Sequence, residues 1–123
     1  MRLEGRTALV TGAGRGLGRS HALALAHAGA RVVVNDLGAT LTGEGADATP
    51  AQTVVVEIET LGSEAIADGE NVADFQGAKR LVERAVETFG RLDILVNNAG
   101  ILRDRMLVNM DEAEWDSVIN VHL

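Results

Sequence analysis

The stretch that decides the fold of this chain is Thr11-Gly12-Ala13-Gly14-Arg15-Gly16-Leu17-Gly18. An apolar run at residues 7–11 leads into it, and a segment rich in alanine and leucine follows over residues 17–28. The first is typical of a buried strand, and the second of a helix that Gly29 ends. Glycines at such a turn let the backbone bend sharply and approach a pyrophosphate closely. The N–H groups at the start of the helix would then favour an anion.

The spacing of these glycines distinguishes the loop from other phosphate-binding loops. It is Thr-Gly-x-x-x-Gly-x-Gly, one residue longer than the pattern Gly-x-Gly-x-x-Gly, and no Gly-Lys-Ser/Thr follows as in a P-loop. We therefore predict a dinucleotide site, and a tight turn without a ligand is the alternative. The cofactor-binding residues predicted in this loop are Gly12, Arg15, Gly16, Leu17 and Gly18.

Outward from this loop, strands and helices alternate. Apolar runs predict further strands at 31–35, 64–68 and 92–96, and residues 37–49 are expected to form a loop. Helices are predicted after Thr49-Pro50, after Asp74 as far as Phe89, and from the capping box Asp111/Glu114 through Ile119. Apolar strands alternating with helices imply an α/β fold with a doubly wound, Rossmann-like parallel sheet. Right-handed crossovers predict the strand order 3-2-1-4.

Composition restricts the function classes. The 123 residues fit one domain, 1–123, with 46% hydrophobic and 24% charged residues. A net charge of −7 makes nucleic acid a poor partner, and the absence of cysteine excludes a thiolate nucleophile. No apolar run approaches the roughly 20 residues of a membrane span. The default expectation is a cytoplasmic protein that binds neither nucleic acid nor membrane.

An acid follows the second predicted strand. Asp36 comes eighteen residues after Gly18, where a carboxylate can accept hydrogen bonds from both hydroxyls of an adenosine ribose. The same charge would repel the 2′-phosphate of NADP, so Asp36 favours NAD. Arg15 could instead pair with that phosphate. A solvated turn aspartate is the alternative.

These residues together resemble the short-chain dehydrogenase/reductase family. The matching pieces are residues 11–18, Asp36, Asn71-Val72, Asn97-Asn98-Ala99-Gly100 and Asn120, in family order across nearly the whole chain. Residues 34–38, 98–105 and 121–123 are similar to a narrower group. That group is the (3R)-hydroxyacyl-CoA dehydrogenase units of peroxisomal multifunctional enzymes and their bacterial relatives.

The resemblance implies roles for further residues. Asn71 and Val72 would flank the adenine, although the family more often has an aspartate where Asn71 stands. The segment Asn98-Ala99-Gly100 would line the ribose, and Asn120 would hold a water of the proton-relay chain. An NAD-dependent oxidoreductase acting on a hydroxyl/ketone pair is implied, with an acyl-CoA thioester as the favoured substrate class. A homo-oligomer is expected at full length.

The chain departs from the family at the catalytic groups. A tyrosine acts there as general acid/base, with a lysine four residues later and a serine that orients the substrate. This chain has no tyrosine and one lysine, Lys79, and its serines Ser20, Ser63 and Ser117 lie in the wrong elements. We therefore expect the cofactor-binding part of a longer domain, cut at its C-terminal end and inactive alone. The alternative is a truncated dinucleotide-binding module that holds NAD weakly or not at all and catalyses no reaction.

Three further expectations concern the rest of the chain. The three histidines are scattered, so no metal site is predicted. The run Arg103-Asp104-Arg105 could touch an anionic substrate, but a solvated loop is favoured. If the chain ends the sheet at its fourth strand, that strand is an open edge, and the isolated chain should self-associate or exchange hydrogen quickly.

Overall fold

A computed structural model of the protein describes residues 3–14, 16–37, 49–72, 74–97 and 105–110. For the last of these ranges it describes the backbone. The described elements, in chain order, are β1 (Thr7–Thr11), α1 (Gly16–His27), β2 (Arg31–Asn35), α2 (Pro50–Thr60), β3 (Ala65–Asp68), α3 (Phe75–Phe89), β4 (Leu92–Asn97) and β5 (Arg105–Met110).

The sheet has the order β3-β2-β1-β4-β5. The first four strands are parallel, with Leu9 opposite Val33 in β2 and Leu95 in β4. This confirms the predicted order 3-2-1-4. It also places the carboxyl ends of β1 to β4 along one edge, where open α/β sheets bind their ligands.

The fifth strand is a correction to the sequence interpretation. The sequence predicts a loop between the fourth strand and Asp111, which would leave β4 as the sheet edge, yet β5 pairs antiparallel with β4. The segment holds a short apolar run that periodicity alone does not assign to a strand. The strand is defined by its pairing with the preceding strand β4, and the run itself carries no clear signal for it. β5 therefore takes the place of β4 at the edge of the sheet, and the self-association expected from an open edge stays a prediction.

Helix ends follow the predicted capping signals. The side chain of Thr49 accepts a hydrogen bond from the Gln52 N–H, ahead of Pro50 at the first helical position. Asp74 accepts from the Gln76 N–H, and Gly90 ends α3 with φ +84°. These caps confirm the predicted starts of α2 and α3. The helix predicted from Asp111 lies outside the described residues.

The core consists of two apolar layers, one on each face of the sheet. Alternate residues of one strand enter different layers: Val32 and Val34 pack with α1 and α2, whereas Val33 packs with α3. Ile58 of α2 and Leu81 of α3 are fully buried in their respective layers. Helices on both faces therefore hold the sheet rigid and leave its carboxyl edge to carry polar chemistry.

Asp93 is buried at the opposite, amino end of the sheet. Its carboxylate accepts from the Thr7 N–H at 2.9 Å and from Arg6 Nη1 at 3.2 Å. Arg91 Nε and Nη2 donate to it at 2.8 and 2.7 Å. Burial alone would raise the pKa of Asp93, but the hydrogen bonds from Arg91, Thr7 and Arg6 outweigh it and lower the pKa below its usual value. The ionised carboxylate thus ties β4 to the start of β1.

Asp93→Asn should lower the free energy of unfolding by about 2 to 3 kcal/mol at neutral pH, because it replaces charge-assisted hydrogen bonds with weaker or unmade ones. The folded-state pKa lies below the unfolded value of about 3.8. The stabilisation is therefore fully present above that value and is lost as pH falls through the folded pKa. Urea unfolding of both proteins at pH 7 and pH 3 measures this, and the difference between them should shrink at pH 3. A difference that grows at pH 3 would contradict the assignment.

The described residues hold neither a membrane-spanning helix nor a cluster of metal ligands. No helix of residues 16–27, 50–60 or 75–89 has the length and apolarity of a membrane span. Within the same described part of the chain, no group of three or more histidine, aspartate or glutamate side chains is arranged to hold a metal ion.

Candidate dinucleotide site

The carboxyl edge of the sheet is polar at each parallel strand. The four strands end in Thr11, Asn35, Asp68 and Asn97, although their preceding residues are largely buried and apolar. Thr11 Oγ1 donates to Asn97 Oδ1 at 2.7 Å across β1 and β4. The edge is thus a row of hydrogen-bonding groups supported by an apolar sheet, the arrangement in which α/β folds bind polar ligands.

The glycine loop folds as its sequence predicts at the positions that are described. Gly12 and Gly16 have φ of +60° and +61°, the left-handed region that favours glycine. Gly18 is buried in α1, and a Cβ atom there would overlap the Gly12 carbonyl oxygen and lie 3.0 Å from Ala13 Cα. The absence of a side chain at Gly18 therefore lets the first turn of α1 pack directly on the loop.

Gly14 is a site residue that the sequence interpretation did not single out, although it lies within the quoted loop. A Cβ atom at Gly14 would overlap Asp36 Oδ2 and lie 2.9 Å from Pro50 Cβ. The Asp36 carboxylate consequently rests against the backbone of the glycine loop. The missed signal is non-local, because it depends on how close the end of β2 lies to the loop after β1.

Asp36 is half-buried and follows β2 directly. Its N–H donates to the Asp68 carbonyl at 2.9 Å, which holds its backbone to the end of β3. The glycine loop is held to β2, since the Ala13 N–H donates to the Asn35 carbonyl at 2.8 Å. The structure therefore brings together the predicted glycine loop and the predicted acid.

Residues 69–72 form the turn after β3, and Asn71 and Val72 belong to it. Asn71 is exposed, and Val72 packs against the apolar layer under α3. A Cβ atom at Gly77 would overlap the Asn71 carbonyl oxygen, so α3 packs closely on this turn. Hydrogen bonds from Arg80 to Glu70 lower the pKa of that carboxyl, which stays ionised beside the turn.

The remaining predicted residues either lie away from Asp36 and the described glycines or fall outside the described part of the chain. Leu17 is 71% exposed at the start of α1, on the same edge as the loop. Lys79 lies within α3, and Ser63 donates to the Ala26 carbonyl at 2.9 Å, away from the carboxyl edge. Arg15, Asn98, Ala99, Gly100 and Asn120 lie outside the described residues, as do Ser117 and Asp104.

The described residues suit a dinucleotide in three respects. Gly14 and Gly18 let the loop pack closely against Asp36 and against the first turn of α1, so the loop, the acid and the start of the helix lie side by side. The start of α1 directly follows the loop and offers the N–H groups of its first turn and a positive dipole end to a pyrophosphate. The acid at the end of β2 adds an acceptor suited to ribose hydroxyls.

Comparison with known proteins adds to this geometry. The family model for short chain dehydrogenases matches residues 6–123. The chain belongs to the short-chain dehydrogenase family. It is 57% identical over 123 residues to the peroxisomal multifunctional enzyme type 2 of Drosophila melanogaster, covering 100% of this chain and 20% of that protein. The narrower resemblance drawn from the sequence is thereby confirmed.

Solved structures of the family superimpose on this chain. A short chain dehydrogenase from Mycobacterium avium matches with a TM-score of 0.74 and 59% identity, covering 100% of this chain and 43% of that one. A short chain dehydrogenase from Mycobacterium paratuberculosis bound to NAD matches with a TM-score of 0.69 and 34% identity, covering 84% and 40%. The Rossmann-like fold of the family is confirmed, and this chain spans less than half the length of these relatives.

Proposed function

We propose that this chain is the cofactor-binding part of an NAD-dependent short-chain oxidoreductase. The observation that carries the proposal is the Asp36 carboxylate, which rests against Gly14 of the glycine loop at the carboxyl end of β2. A carboxylate at this place would accept hydrogen bonds from ribose hydroxyls and would repel a 2′-phosphate. The site would therefore prefer NAD to NADP. The NAD-bound relative from Mycobacterium paratuberculosis supports the class of cofactor.

The residues of this chain have distinct tasks in such a site. The loop and the start of α1 would bind the pyrophosphate, and Asp36 would bind the adenosine ribose. Asn71 and Val72 would flank the adenine, and the segment 98–100 would line a ribose. When bound, the nicotinamide supplies a hydride acceptor or donor. The described residues of this chain would hold the adenosine half of the dinucleotide.

The proposed substrate is a 3-hydroxyacyl thioester of the CoA type, oxidised to the ketone. Two features support this class: the similarity of residues 34–38 and 98–105 to hydroxyacyl-CoA dehydrogenase units, and the 57% identity to a peroxisomal multifunctional enzyme. The experiment is to assay the intact gene product with 3-hydroxybutyryl-CoA and with a secondary alcohol lacking CoA, using NAD and then NADP. Preference for the free alcohol would contradict the substrate proposal but leave the cofactor proposal standing.

Proton transfer requires groups that the 123 residues do not supply. A phenol near an ammonium titrates close to working pH, and this chain has no tyrosine and one lysine, Lys79. We therefore expect a purified 123-residue chain to show no alcohol oxidation above a buffer blank. A sensitive test is NADH fluorescence over several hours with 3-hydroxybutyryl-CoA. Turnover that survives repurification would disprove this account of the acid/base.

A second candidate function is a binding module that holds NAD and catalyses nothing. The same lack of tyrosine favours it. Measuring both the intact mass of the gene product and its turnover of NAD distinguishes the oxidoreductase from the binding module. A product of 123 residues that binds NAD without turnover is the module, and a longer product that reduces NAD is the oxidoreductase.

A further inference from the structure

Asn35 stands where three parts of the carboxyl edge meet. Its carbonyl accepts from the Ala13 N–H of the glycine loop at 2.8 Å, and Asp36 follows it in the chain. In the sheet it lies opposite Asp68, the last residue of β3. The side chain of Asn35 is 1% exposed, so it cannot exchange its protein partners for water.

The amide of Asn35 reaches the turn 69–72. Nδ2 donates to Asp68 Oδ1 at 3.1 Å and to the Glu70 carbonyl at 3.0 Å. Asp68 Oδ1 also accepts from the Glu70 N–H at 2.8 Å. Asp68 is 2% exposed. A buried network whose members all have partners fixes one arrangement, because any displacement leaves a polar group unpaired.

Helix α3 also contacts the end of β3 and this turn. Arg84 Nη1 donates to Asp68 Oδ2 at 3.1 Å and to the Ala67 carbonyl at 2.7 Å. Arg80 pairs with Glu70, but Arg80 is 57% exposed, and exposed ion pairs contribute little. Arg84 thus holds the end of β3 to α3, and the exposed Arg80–Glu70 pair joins the turn itself to that helix. Asn35 instead holds the turn to β2 and, through its own carbonyl, to the glycine loop.

We propose that Asn35 is a positioning residue for the adenosine half of the dinucleotide. It fixes the turn that carries Asn71 and Val72 at a set distance from Asp36 and the glycine loop, so that adenine and ribose meet a preformed site. The inference rests on the proposed function and deepens it. Asn35 itself acts through the turn, whereas Asp36 would contact the ribose.

The test removes the donor and measures binding of the adenosine half alone. In the intact gene product, Asn35→Leu keeps the approximate size of the side chain and Asn35→Ser avoids any overpacking. Both should weaken ADP-ribose binding in calorimetry by about five- to tenfold, the range of one net hydrogen bond. The Glu70 amide should exchange its hydrogen faster in both variants, because its acceptor atom, Asp68 Oδ1, and the Glu70 carbonyl both lose the donor that Asn35 supplies.

The matched control is Asp93→Asn, which disturbs a buried polar network at the other end of the same sheet. It should lower the thermal midpoint while leaving the dissociation constant of ADP-ribose and the exchange of the Glu70 amide unchanged. If Asn35 contributes only to stability, an Asn35 variant should bind ADP-ribose as tightly as an Asp93 variant of the same stability.

Three outcomes of these measurements decide whether Asn35 has this positioning role. Weaker ADP-ribose binding confined to the Asn35 variants supports the role. Unchanged affinity in a folded Asn35→Ser or Asn35→Leu protein overturns it, even if the unsubstituted protein binds NAD and the proposed function stands. Failure of the unsubstituted protein to bind either NAD or ADP-ribose contradicts the proposed function and this role together.

Discussion

Asp36→Ala is expected to reverse much of the preference for NAD. The variant loses the carboxylate that would accept from two ribose hydroxyls, so NAD should bind about 30- to 100-fold more weakly. NADP loses a repulsive neighbour and should bind no worse than before. The ratio of the two dissociation constants, measured by protein fluorescence titration, should therefore shift by about 100-fold.

The control for this variant removes a carboxylate without touching the carboxyl edge. Glu59 is exposed on α2, and Glu59→Ala changes the net charge by the same amount as Asp36→Ala. It should leave both dissociation constants within about twofold, because exposed charges at a distance are screened by salt. An equal shift in both variants would show that overall charge, and not the ribose contact, sets the preference.

Gly18→Ala is expected to remove most dinucleotide binding. The added methyl overlaps the Gly12 carbonyl oxygen, and this neighbour is backbone that no rotamer change can move. Either α1 or the glycine loop must shift by about 1 Å, which costs about 100-fold in binding of a precisely placed ligand. The free energy of unfolding should also fall by about 2 to 3 kcal/mol through overpacking.

Gly62→Ala is the matched control for this substitution. Gly62 lies between α2 and β3, away from the glycine loop. Its φ is +93°, and no atom lies within 4 Å of the place that an added methyl would take. Its substitution should cost about 1 to 2 kcal/mol in stability through backbone strain and leave NAD affinity unchanged. Normal NAD affinity in Gly18→Ala would disprove the tight packing of α1 on the loop.

The sequence predicts most of the fold because its signals are local. Residues 7–11 and 31–35 are short apolar runs bounded by turn residues, and both form strands with the predicted bounds. Thr49, Asp74 and Gly90 mark helix ends through bonds to residues within one turn. Alternation of strands and helices then leaves few topologies, and the handedness of crossovers selects one of them.

What the sequence does not predict depends on contacts between distant residues. β5 is a strand because β4 offers it a free edge, and its own residues indicate this only weakly. The contact of Gly14 with Asp36 joins two segments that meet only once the sheet has formed. Asn35 and Asp68 look like ordinary polar residues at strand ends until the register of β2 and β3 places them side by side.

The most direct test of the dinucleotide site is an NMR titration of the nitrogen-15-labelled gene product with NAD. The account predicts saturable shifts of amides in the glycine loop, at residues 36–37 and at residues 71–72. Amides at the amino edge, such as those of Gly5 and Asp93, should keep their positions. Shifts confined to the amino edge, or no saturable shifts at millimolar NAD, would contradict the site.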